Sequence, residues 1–323
     1  MSTTDVATVT LNPAIDQTVT ISNFTAGTVN RVEDSRADPG GKGVNVASIL
    51  ADLGHRVAVT GFLGRDNSAP FEQLFARKGI IDRFVRIEGQ TRVGIKVSDP
   101  VLQQTTDINF PGQPPSSADV AALIQTLEQL DAQWFVLSGS LPPNVEQGFY
   151  RTVVQTLKVR GRRVLLDTSG EALRLALEAT PDAIKPNVHE LEALVGYPLA
   201  GTDEAAIVAA VRPLQERGIG LIAVSSGGLG AVFLADSMIV TARPPHVEVR
   251  STVGAGDAMV AGIVSAQLRK APLADCARIA TALAADAITH LGSGLSSLAA
   301  VERLLPRVDI TARVTPDRLR QAP

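Results

Sequence analysis

The chain reads as an α/β protein, with a mostly parallel central sheet and a small β-sheet standing off it. Three observations predict this. From about residue 130, short apolar runs alternate with longer amphipathic stretches, the pattern of right-handed βαβ units. The segments 16–32 and 90–109 instead alternate in the β manner, without helices between. A length of 323 residues suits two domains, or one large α/β domain with an appendage, at roughly 100–200 residues per domain.

Taken in order, TVTIS (18–22) reads as a strand, 44–53 as a helix, VAVTGFLG (57–64) as a buried strand and PFEQLFARKG (70–79) as a helix. TRVGIKV and TDINF then return to β alternation. WFVL (134–137) ends at Ser138-Gly139-Ser140, and helical periodicity follows to Lys158. The run 163–166 ends at Asp167, and 171–179 is predicted helical; 182–184 ends at Lys185-Pro186-Asn187, ahead of the helical HELEALVG. LIAVS (221–225) ends at Gly227-Gly228. In parallel sheets ligands collect outside the carboxyl ends of the strands, and the polar and glycine-rich residues fall at those ends. The expected division is a large domain (1–12, 37–89 and 113–312), a discontinuous β lid (13–36 and 90–112), and a loosely held tail, 313–323.

Composition narrows the function. With 33 acidic against 30 basic side chains and a net charge of -3, nothing attracts nucleic acid or an anionic membrane, so a phosphate ligand must meet a local cluster of cations. Aromatics at 4% argue against stacking platforms for single strands. Cys276 is the one cysteine, which excludes an internal disulfide and a Cys-rich metal site. The start has no signal-peptide pattern, and no uncharged apolar run approaches ~18 residues; the expectation is a soluble cytoplasmic protein.

The strongest motif is Ser251-Thr252-Val253-Gly254-Ala255-Gly256-Asp257, running into a long apolar helix. Two glycines there allow close backbone approach and leave N–H groups aimed at one point, which suits an anion. Asp257 falls in or near the first turn, as a plain helix cap or as a working carboxylate; the dipole favours its ionised form. Pro39-Gly40-Gly41-Lys42-Gly43-Val44-Asn45 opens a second helix. It is no Walker A loop, since no Ser or Thr follows Lys42, and no dinucleotide fingerprint exists because position 259 is Met.

Asn187 followed by Glu190 fits a capping box, although an amide and a carboxylate at a strand end also suit a hydrated Mg²⁺. Asp167 is open in the same way, between turn former and metal-side carboxylate. Ser225 to Gly230 reads as a hairpin turn, and Asn12 to Asp16 as a turn. The four histidines show no metal spacing, and Ser138 and Ser140 lack the context of a nucleophilic serine.

Together NPAID, PGGKGVN, GFLGRDN, SGSLPP, DTSGEAL, IKPN with Glu190, VSSGG and STVGAGD resemble, in order, the PfkB-type, ribokinase-like carbohydrate kinases. The resemblance implies a three-layer αβα domain with a β lid that closes over the sugar and pairs with a second subunit's lid, making a homodimer. It implies ATP and Mg²⁺. Asp257 is then the catalytic base, with Gly254, Ala255 and Gly256 as the anion hole. Asp16, Gly40, Gly41, Lys42, Asn45 and Ser140 fall on the sugar side, and Arg31 and Arg92 at the substrate phosphate. Lys185, Ser225, Gly227, Gly228, Gly230 and Thr252 belong to the nucleotide, with Asn187 and Glu190 near the metal. His290 stands where some relatives carry an Asn near the adenine.

LNPAID, GFLGRDNSAPFEQLF and TDINFPG look most like the members that phosphorylate fructose 1-phosphate; tagatose 6-phosphate and fructose 6-phosphate kinases share much of this. Two other classes remain open, a catalytically silent sugar-phosphate-binding regulator and a nicotinamide-dependent oxidoreductase. As a base, Asp257 is expected to be weak and weakened further by the dipole, so that its value is mostly positional.

Overall fold

The computed structural model describes residues 4–199, 203–290, 292 and 294–314. Chain order begins with β1 (Thr4–Thr10), β2 (Ala14–Thr20), β3 (Asp34–Gly40), α1 (Lys42–Asp52), β4 (Val57–Gly64) and α2 (Ala69–Lys78). Next come β5 (Ile81–Asp82), β6 (Val85–Ile87), β7 (Arg92–Asp99), β8 (Gln104–Asn109), α3 (Ser117–Gln129), β9 (Ala132–Ser138) and α4 (Phe149–Val159). They continue as β10 (Arg163–Asp167), α5 (Gly170–Ala176), β11 (Ala183–Ile184), α6 (Val188–Val195), α7 (Glu204–Glu216), β12 (Leu221–Ser225) and β13 (Ala231–Ala235). Last are β14 (Met238–Arg243), α8 (Ala255–Leu268), α9 (Leu273–Ala287), α10 (Leu298–Leu304) and β15 (Asp309–Val314).

The large sheet runs β15-β14-β13-β12-β11-β10-β9-β1-β4-β5, with β6 beside β4. From β5 to β12 every pairing is parallel; β13, β14 and β15 add antiparallel strands at one edge. Its central strands are apolar because both faces are covered, and all eight residues of β4 are buried. Alternate residues feed two cores. Val6, Val59 and Val136 meet α1, α8 and α9 on one face; Ala7, Phe135 and Leu166 meet α4, α5 and α7 on the other. Strand order reverses at β1, the geometry that opens a crevice at the carboxyl ends. The hairpin expected at 225–230 is there, joining β12 to β13.

A separate four-stranded sheet, β3-β2-β7-β8, stands over those ends. Two boundaries differ from expectation. Strand pairing carries the small sheet through Gly40, which faces Ala14, rather than ending it at 36. DSRADPG is too polar to show strand alternation, and its pairing with β2 makes it a strand. At the other end, Arg313 and Val314 belong to β15, against Ile239 and Met238, and Arg313 pairs with Glu204. They are held, not loose; the rest of the expected tail lies outside the described residues.

Candidate functional site

The apolar run 258–266 drives α8 inward, where every one of those residues is buried. Gly254 caps the helix at φ 84°, a left-handed conformation that glycine adopts without steric cost. Asp257 is therefore the third helical residue and not the cap. The first i→i−4 bond runs from Ala258 N to Gly254 O at 2.8 Å, so the amides of residues 255–257 precede the hydrogen-bonded ladder at the positive end of the dipole.

Asp257 is only 6% exposed, and Asn45 Nδ2 donates to its Oδ2 at 2.7 Å. Burial, reinforced by the negative charge of Asp167, pushes its carboxyl up to about 6, against the pull of Asn45, Lys42 and Lys185. This corrects the expectation of a base weakened by the dipole. Desolvation outweighs the helix terminus, and the carboxylate gains basicity near neutral pH.

Asp167 ends β10 with its side chain fully buried between two ammonium groups. Lys42 Nζ lies 3.2 Å from Oδ2 and Lys185 Nζ 3.3 Å from Oδ1. Burial alone would raise its pKa, but Lys185 and Lys42 outweigh it and hold the carboxyl below its ordinary value. Lys42 is in turn raised: burial acts to lower it, and Asp167, Asp257 and Glu190 prevail. The metal-side role expected for Asp167 does not fit a carboxylate whose two oxygens each face an ammonium. Among the described residues no three His, Cys, Asp or Glu side chains cluster as a metal site.

Asn187 and Glu190 form the capping box of α6. Asn187 Oδ1 accepts from Glu190 N at 2.8 Å, and Glu190 Oε2 accepts from Asn187 N at 2.9 Å. The cap engages Oε2, which leaves Oε1 for a hydrated cation, and both side chains line the main cleft. The capping reading and a metal-side role are thus compatible.

That cleft, about 750 Å³, lies between the small sheet and the strand ends. It gathers Asp16, Gly41, Lys42, Asn45, Arg92 and Lys185, together with Ser225, Gly227, Gly254, Gly256 and Asp257. Gly40 packs on Asp16 so closely that a Cβ there would sit 2.5 Å from Oδ2. Arg92 donates to Asn12 O at 3.3 Å and Asn109 Oδ1 at 3.4 Å.

A second, largely apolar pocket of about 220 Å³ shares Ser225, Gly227 and Gly256 with the cleft and adds Gly228, Gly230, Thr252 and Ala255. It also holds Thr281, Ala284, Ala285 and Ile288 of and just after α9, a stripe of helical spacing that sequence reasoning missed. TALAADAI looks like ordinary core packing until its neighbour is seen.

Five expected residues line neither cavity: Gly40, which packs behind Asp16, Asp167, which lies behind the two lysines, and three that stand further apart. Arg31 is exposed in the loop between β2 and β3 and lines neither cavity. Ser140 is exposed and accepts from Asn12 Nδ2 at 3.1 Å, outside both linings. His290 lies 3.9 Å from Asp286 and does not line the apolar pocket. Conversely, Lys96, Asp107 and Asn109 line the cleft without having been expected.

The site as a whole sets a carboxylate of raised basicity beside unladdered amides and two lysines, with an apolar pocket adjoining. Known proteins resemble the chain over most of its length. The model of the pfkB family carbohydrate kinases matches residues 9–300. A 1-phosphofructokinase of Rhodobacter capsulatus is 49% identical over 293 residues, covering 90% of this chain and 92% of its own. One from Xanthomonas campestris is 45% identical, covering 85% and 88%. The crystal structure of phosphofructokinase-2 from Escherichia coli, in complex with substrates and products, superposes with a TM-score of 0.89 at 26% identity, covering 94% and 99%. The chain belongs to the pfkB family of carbohydrate kinases.

Proposed function

We propose that the protein transfers the γ-phosphoryl group of ATP to the C6 hydroxyl of fructose 1-phosphate, giving fructose 1,6-bisphosphate and ADP. The observation that carries this is Asp257, a buried carboxylate of raised basicity beside the free amides at the start of α8. Such transfer asks mainly for alignment and for positive charge opposite the moving group. Asp257 accepts the proton of the attacking hydroxyl, with Asn45 fixing its orientation at 2.7 Å. The amides of 255–257 and the ammonium groups of Lys42 and Lys185 offset charge on the transferred group.

On the nucleotide side, Ser225, Gly227, Gly228, Gly230, Thr252 and the small residues of α9 suit an adenosine moiety in the apolar pocket. Asn187 and Glu190 would hold Mg²⁺ through water, and the ion would shield the nucleotide's phosphates. Asp16, Gly40 and Gly41 face the sugar, and the guanidinium fork of Arg92 suits its phosphate. Residues 13–36 and 90–112, with the extension to Gly40, act as a lid that excludes water on closing.

The apolar groups exposed on that sheet and its loops, Val29, Ile108 and Phe110 among them, support pairing with the lid of a second copy. The cytoplasm is the compartment this chemistry needs. Among the described residues no helix is long and apolar enough to cross a membrane.

The test is a panel of fructose 1-phosphate, fructose 6-phosphate, tagatose 6-phosphate and fructose, read by ADP release. The highest kcat/KM is expected for fructose 1-phosphate. Preference for either 6-phosphate would move the protein to a sibling activity, and binding without ADP would mark a silent regulator.

A further inference from the structure

Lys96 stands in the middle of the small sheet's cleft-facing floor, among acidic groups. Register places Asp16 beside Asp38 on β3 and beside Gly94 on β7, while Lys96 lies opposite Asp107 on β8. Strand alternation puts all five on one face. On that face Asp38 is bonded to Arg36, and Lys96 Nζ donates to Asp16 Oδ2 at 2.7 Å. The Lys96 and Asp16 side chains are 20% and 21% exposed, so bulk ions screen the pair poorly.

Two glycines hold the carboxylate in place. A Cβ on Gly40 would sit 2.5 Å from Asp16 Oδ2, and one on Gly94 would sit 3.2 Å from Oδ1. A bare carboxylate here would repel a sugar whose phosphate carries about -1.5 to -2 charges, while accepting hydroxyls of a neutral sugar as well as before. Lys96 cancels that charge, keeps Asp16 as an acceptor, and has further N–H donors to offer. Arg92 lies on the same face of β7, so the two cations bracket Gly94.

We propose that Lys96 is a specificity-determining residue, neutralising Asp16 on the floor of the lid so that the site prefers a phosphorylated sugar to its unphosphorylated counterpart. The inference rests on the phosphosugar reading above. Where Lys96 acts through Asp16 it is a positioning residue, and its signature is discrimination between sugars rather than turnover alone.

The experiment compares wild type, Lys96→Met and Lys96→Arg by ADP release, with fructose 1-phosphate and with fructose. Lys96→Met is expected to lower kcat/KM for fructose 1-phosphate about tenfold or more, the scale of one lost charge-assisted hydrogen bond. Turnover of fructose should change far less and KM for ATP hardly at all, so the ratio between the two sugars falls; Lys96→Arg should restore most of it. Lys96→Gln, which keeps a donor toward Asp16 without the charge, gives the same readout where the methionine variant does not fold. An unmoved ratio, or equal losses on both sugars, overturns the assignment of Lys96 alone. A wild-type enzyme that ignores fructose 1-phosphate overturns the functional reading and this inference with it.

Discussion

At the residue scale the decisive competition is between desolvation and the helix terminus at Asp257, and desolvation wins. Asp257→Asn should cut turnover at least ~10²-fold, the usual scale of general-base catalysis, with sugar and ATP binding largely kept. The acid limb of the kcat/KM profile should fall near pH 6, where the carboxyl gives up its proton. Two neighbours should move that limb in opposite directions. Asn45→Ala removes the bond that favours the charged form and should shift it up; Asp167→Asn removes the repelling charge and should shift it down.

Stability follows the same proton. The folded state retains it up to about pH 6, whereas an unfolded Asp loses it near ~3.9, so this residue's contribution declines as pH rises through that window. An ionised Asp257 then costs up to about 3 kcal/mol. Urea titrations should find Asp257→Asn more stable than wild type at pH 8, with the advantage shrinking by pH 5.

At the scale of elements, α8 is held against α9 by a missing side chain. A Cβ on Gly262 would stand 2.5 Å from the Ala280 Cα, backbone that cannot turn aside. Gly262→Ala should cost about 1–3 kcal/mol through overpacking, seen as a lower urea midpoint with an unchanged m-value. The start of α8 was legible from residues alone, because two glycines precede a long apolar run. The strand β3 was not: its DSRADPG residues are polar and mostly exposed, and what defines it is the ladder to β2. The same holds for β15, whose six residues include no buried one.

At the scale of the whole molecule, the small sheet joins two chain segments, 14–40 and 92–109, over the cleft. Its outer apolar groups predict self-association. Sedimentation velocity should show a wild-type dimer, and Phe110→Glu should shift it toward monomer by placing charge on an apolar contact. A monomeric wild type would remove lid pairing from the functional reading. Arg92→Ala should raise KM for the phosphosugar far more than for ATP, because its guanidinium lies on the lid side of the cleft; equal effects on both substrates would take Arg92 off the sugar.

The alternation of apolar runs and amphipathic stretches is a local property, so fold class, parallel sheet, a separate small sheet and the glycine-rich helix starts could all be read from linear order. Charge partnership is not local. Lys42 and Lys185 reach Asp167 across 125 and 18 positions of chain, and Asp257 meets Asn45 across 212. Only folding withdraws those groups from water, and that withdrawal set Asp167 as the counter-ion of two lysines and raised the carboxyl of Asp257 to about 6. Distance settled the rest: it drew Lys96 into the cleft and left Arg31, Ser140 and His290 outside the cavities, which no spacing along the chain encodes.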